Sequence, residues 1–206
     1  MCPIVTESQE TPEVELTRTT SNADYTKRIA LGAILGALSI ALSVTAAFIP
    51  RIPGWGIALF DPVSLIWIIA FLIGGIEVGM ITTYAGFFGL FLFDPTGVGP
   101  IFKFLATVPM ILVPWVAMNF SSKRIDGSHL SSLRSFSKYM VVAYIFRLGI
   151  MIPLNLLVVP LLFGISDVTF IVMYTLILNT LQSFWDAVIP FYIVHSTRLF
   201  ENFRMW

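Results

Sequence analysis

Long apolar runs separated by short polar ones dominate this chain. Between about Arg28 and Leu199 they divide into six segments, leaving five connections and two polar ends. The first run covers residues 28–49. The second starts near Pro62, a favoured first helical position, and stops at Gly74 and Gly75, short for a full crossing. The others cover 76–93, 100–120, 139–163 and 168–199. A helix needs about 20 apolar residues to cross a bilayer. The pattern therefore predicts an all-α integral membrane protein, a six-transmembrane-helix bundle. Pro50, Pro53, Gly54 and Gly56 punctuate the first outer loop, where Trp55 can anchor at the interface.

Charge assigns the sides. Lys27 and Arg28 precede the first run, Lys123, Arg124, Arg134 and Lys138 fill the connection after the fourth, and Arg198 and Arg204 close the chain. Connections on the opposite face carry only Arg51 as a cation. Basic loops stay in the cytoplasm, so both termini are expected inside (N-in/C-in). Composition agrees, with 57% hydrophobic and 12% charged residues and a mean hydropathy of +0.87, against about 25% charged residues in soluble domains. Residues 1–26 read as a flexible cytoplasmic tail, 27–200 as the membrane domain and 201–206 as a cytoplasmic C-terminus. Cys2 is the only cysteine and reads as a free thiol.

Certain chemistries find no support. There is no GxxxxGK(S/T) phosphate loop, no HExxH, no GxSxG and no basic surface interleaved with aromatics. Neither His129 nor His195 has a metal-ligand companion. No catalytic residue and no metal site is expected, and nucleic acid is not an expected partner.

Ionisable groups inside a bilayer are costly unless they face a cavity or a partner. Lys103 lies near the start of the fourth run, Arg147 in the fifth with Asn155 two turns on, and Asn179, Gln182 and Asp186 on one face of the sixth. One reading is a polar pocket opening outward, roofed by residues 50–61 with Phe60 and Asp61 at its edge. The other is that these groups brace neighbouring helices; Arg147 and Asp186 then simply pair. Asp61 and Asp94 sit where caps or loop-closing acceptors are expected, and Glu77 where a solvated cap is expected.

The first run also carries Gly32, Ala33, Gly36, Ala37 and Ala41 at spacings of three and four. Small residues so spaced let another helix lie close. That helix belongs either to a partner or to the same bundle.

Taken together over residues 28–199, these features resemble the substrate-binding S-component of energy-coupling-factor vitamin transporters. Ala33-xxx-Ala37-xxx-Ala41 matches the family's AxxxA motif. The nearest likeness is to riboflavin-specific members. It is carried by Phe60-Asp61-Pro62 with Leu72–Gly75, by Gly99–Met110, and by Met151–Gly164 with Asn155 in the matching asparagine position. The sixth run departs from them: where they tend to show Asn followed by Lys one turn on, this chain has Asn179 and then Gln182. The resemblance implies capture of a vitamin as bound substrate rather than catalytic cofactor. It also implies a transmembrane coupling protein docked on the small-residue stripe, two cytoplasmic ATPases, and a multi-pass location in the cell membrane. A standalone secondary carrier, a small membrane enzyme acting on lipid-like substrates and a non-catalytic assembly subunit are the rival readings.

Overall fold

The first limb of the second helix is buried on nearly every side, and the other helices are arranged around it. The computed structural model describes residues 12–46, 60–94, 96–120, 128–199 and 203, with side chains from residue 23 onward except at 45, 46, 128 and 129. Its helices are α1 (Pro12–Ala46), α2 (Pro62–Leu90), α3 (Val98–Phe120), α4 (Ser128–Ser131), α5 (Leu133–Phe163) and α6 (Val168–Ser196). Residues 12–26, assigned to a flexible tail by composition, are helical. Residues 1–11, the loop at 47–59 with Trp55 and Arg51, and Lys123, Arg124 and Arg204 lie outside the described residues.

Among the described residues, five helices are long and apolar enough to span a membrane: Ala23–Val44, Pro62–Leu90, Val98–Phe120, Leu133–Phe163 and Val168–Ser196. Six apolar runs become five helices because the second and third runs form one element, α2, broken at Gly75 (φ 75°, ψ −167°). That backbone region is open essentially to glycine alone. The break is a reversal. A Cβ placed on Gly79 would lie 2.8 Å from the Phe71 Cβ, and one on Gly86 would collide with the Trp67 indole. In a straight helix those pairs would stand about 12 and 28 Å apart. The limbs before and after Gly75 therefore lie side by side as a hairpin.

Helix α1 packs along the second limb at a constant offset of 49 residues: Arg28 meets Glu77, Gly32 meets Ile81, Gly36 meets Ala85 and Ile40 meets Gly89. A constant difference means that the two run parallel. Arg28 and Glu77 form an ion pair at 2.8 Å, so Glu77 is paired rather than merely solvated. Thr82 Oγ1 donates to the Gly32 carbonyl at 3.2 Å, and Trp67 Nε1 donates to Ser39 Oγ at 2.7 Å, tying α1 to both limbs. The small-residue stripe accordingly splits. Gly32 and Gly36 are buried against α2 and are not open to a partner, which corrects their assignment to a partner interface; Ala33, Ala37 and Ala41 face outward.

The apolar core joins Trp67, Ile68, Phe71 and Leu72 of the first limb to Met110 and Ile111 of α3, Phe136 and Met140 of α5, and Phe191 and Val194 of α6. The outer faces are equally apolar: Ile145, Leu157 and Leu161 on α5 and Ile177 and Phe184 on α6 are exposed. The buried faces of these two helices instead carry Arg147, Asn155, Thr175, Asn179, Ser183 and Asp186. An apolar exterior around polar interior groups suits a hydrocarbon solvent and not water. The chain is a multi-pass helical membrane protein. Helix α5 starts before the apolar run does, so Arg134 and Lys138 ride exposed on its first turns. Gly164 (φ 68°) closes α5 with a left-handed cap, and Asp167 caps α6 by accepting from Phe170 N at 3.1 Å.

Gly75→Ala is expected to lower unfolding stability in detergent by about 1–3 kcal/mol, because a side chain strains that conformation. Gly149→Ala, on an exposed helical site with open space around it, should be neutral or stabilising by up to about 1 kcal/mol. Equal effects of the two changes on the melting temperature would refute the hairpin.

Candidate functional site: a polar cavity between α2, α3, α5 and α6

Asp61 stands at the root of the hairpin, one residue before Pro62. Its Oδ1 accepts from Val63 N at 3.0 Å, capping α2 as expected, and its Oδ2 pairs with Lys103 Nζ from the second turn of α3. Three residues along, the Ser64 hydroxyl donates to Asp186 Oδ1 at 2.7 Å. Asp186 Oδ2 receives Arg147 from α5 at 2.8 Å. A chain of contacts thus runs from the hairpin root through α6 into α5.

Arg147 is the centre of that chain. Its Nε donates to Asn179 Oδ1 at 2.8 Å, one terminal nitrogen to Asp186 and the other to Gln182 Oε1 at 2.7 Å. Asn179, Gln182 and Asp186 recur at three and four residues along α6, so one helical face offers three acceptors in a row. The planar fork of a guanidinium spreads its donors over three nitrogens and so spans such a row of oxygens, which a compact ammonium does not. With only 2% of Arg147 and 3% of Asp186 exposed, both charges are withdrawn from solvent, and pairing offsets the desolvation that each would suffer alone.

Above this network lies a cavity of about 440 Å³, within the range of small-molecule sites. Phe60, Asp61, Lys103, Arg147, Asn155, Asn179 and Gln182 all border it. Asp186 does not; it sits behind Arg147 as its counterion, which corrects its placement among the pocket-lining residues. Asn155 donates to the Met151 carbonyl at 2.7 Å, which leaves its Oδ1 as the amide's acceptor. The remaining wall is aromatic and aliphatic, including Phe93, Phe102, Phe163 and Val159. At one edge Asp94 closes its own loop by accepting from Thr96 N and Gly99 N, each at 3.0 Å.

Sequence reasoning missed Ser64, Thr107 and Thr175, all of which border the cavity. Helical hydroxyls carry little signal, since most return a hydrogen bond to their own helix, as Thr180 does to the Leu176 carbonyl at 2.7 Å. Thr175 is different: its Oγ1 is buried, with no hydrogen-bond partner among the described residues. Ser64 had one available clue, its place one turn after the capping Asp61. His129 has no described side chain, and His195 packs on Phe191, away from the cavity lining.

The fold and the site together define a multi-pass helical membrane protein holding a polar-floored, aromatic-walled cavity. Comparisons with protein-family models, with curated proteins and with solved structures return no match for this chain.

Arg147→Met strands a buried carboxylate and is expected to destabilise the bundle by about 3–5 kcal/mol, whereas the double change Arg147→Met/Asp186→Leu should recover most of that loss. Denaturant unfolding in detergent measures both. If the single change is no worse than the double, Arg147 and Asp186 are not a coupled pair.

Proposed function

We propose that this chain is the solute-capturing membrane subunit of an energy-coupling-factor transporter, and that its solute is a vitamin, riboflavin first. The observation that carries this reading is the meeting of Asp61, Lys103, Arg147, Asn155, Asn179 and Gln182, drawn from four helices, around one cavity of about 440 Å³. Helices held together by scattered polar pairs would need no such space. Aromatic walls with amides at one end suit a flat, conjugated ring that carries polar edges.

In this reading each limb of α2 counts as a crossing, giving six with both termini on one side. Each limb is roughly 20 Å long, short of the about 30 Å hydrocarbon core, and their joint length resembles a single span. The parallel course of α1 and the second limb, with the first limb antiparallel to both, supports the count. Lys27, Arg28, Arg134, Lys138 and Arg198 then gather on the cytoplasmic side of the cell membrane. The outward alanines Ala33, Ala37 and Ala41 offer a smooth strip for a transmembrane coupling protein, driven by two ATPases on separate chains.

Two measurements test this. Protein purified in detergent and then denatured should release a flavin, identified by absorbance and mass spectrometry; another vitamin keeps the transporter class and changes the solute. Ala37→Trp should abolish uptake while leaving ligand affinity within about threefold. Normal uptake by that variant, or uptake with no ATPase present, rules out the proposed assembly.

A further inference from the structure

We infer that Arg147 is a positioning residue whose charge is neutralised within the protein, and that the cavity therefore selects an uncharged solute. The inference rests on the solute-capture reading above and adds to it the charge of the occupant.

Electroneutrality is the first ground. Among the described residues, both cations at the cavity already hold a carboxylate: Lys103 has Asp61, and Arg147 has Asp186. The remaining acid of the described lining, Asp94, is engaged by its own loop. An anionic occupant would have to displace a carboxylate from one of these pairs, and a cationic one would find each of these carboxylates in use. Burial raises the cost of either exchange, because a displaced charge inside the bundle has no water to return to.

Amide orientation is the second ground. A guanidinium has donors only, so Asn179 and Gln182 must both turn their oxygens toward Arg147, and they do, at 2.8 and 2.7 Å. Their nitrogens then occupy the other branch of each amide. One N–H of Asn179 is used on the Thr175 carbonyl at 2.8 Å. Thus Arg147, rather than the amides themselves, fixes which way Asn179 and Gln182 turn their oxygens. Asp186, itself held by the Ser64 hydroxyl, engages the guanidinium, which in turn orients Asn179 and Gln182.

Thermal shift of the full chain in detergent against a panel of uncharged and charged vitamins tests the inference. The uncharged members are riboflavin and pyridoxine; the charged ones are riboflavin 5′-phosphate, pyridoxal 5′-phosphate, biotin, pantothenate and thiamine. At least one uncharged member should stabilise the protein, binding tenfold or more tightly than any charged one. Stabilisation by a charged member as strong as by the best uncharged one overturns the inference, and so does the absence of stabilisation by both uncharged members. If pyridoxine binds and riboflavin does not, the riboflavin assignment fails and the inference stands.

Asp186→Asn supplies the readout that a purely structural role would not move. It leaves Arg147 uncompensated at almost unchanged volume, so the affinity ratio between the uncharged vitamin and its phosphorylated form should shift at least tenfold toward the phosphate. An unchanged ratio in folded protein sinks the inference. Should that variant fail to fold, Asp61→Asn makes the same test through Lys103, with the same direction of shift expected and the same unchanged ratio against it.

Discussion

A guanidinium withdrawn from water inside an apolar bundle survives only if its charge is paired and its nitrogens find acceptors. Around Arg147 that requirement recruits Asn179, Gln182 and Asp186 from one face of α6, and through Asp186 it reaches Ser64 at the head of the hairpin. Three helical elements are thereby registered against one another by directional bonds. In a bilayer this matters more than in water, because apolar packing alone gives helices little reason to prefer each other over lipid.

The hairpin of α2 supplies the second constraint. Its first limb carries apolar residues on all sides and is wrapped by protein on all sides, so it serves as the central post of the bundle. Its start carries the polar contacts to α3 and α6: Asp61 to Lys103 and Ser64 to Asp186. Gly79 and Gly86 let the second limb approach the first at backbone distance, and Gly32 and Gly36 let α1 approach the second. Close packing along α1 and the hairpin, and polar registration at the hairpin's start, divide the structure into a three-part layer and a hollow bordered by α2, α3, α5 and α6.

That division bears on the small-residue stripe. Residues three and four apart on a helix share a face, but neighbours in sequence do not, and in α1 the glycines turn inward while the alanines turn outward. Internal packing and a surface open to a partner are therefore not competing accounts of this helix. Each uses its own side of the same turn.

Much of this could be read from residue order. Apolar runs of the right length, cations gathered on alternate connections, and costly polar groups on the later runs mark a multi-pass membrane protein and point to Lys103, Arg147, Asn155, Asn179 and Gln182. These signals are local: hydropathy, helical spacing and the cost of burying charge need no knowledge of neighbours. The turn at Gly74 and Gly75 was legible too; only the tertiary structure decided that Gly32 and Gly36 face inward, that Asp186 stands behind Arg147 instead of beside the cavity, and that Ser64 completes the network. Each of those depends on which surfaces meet across tens of residues, and a one-dimensional pattern does not contain that distance.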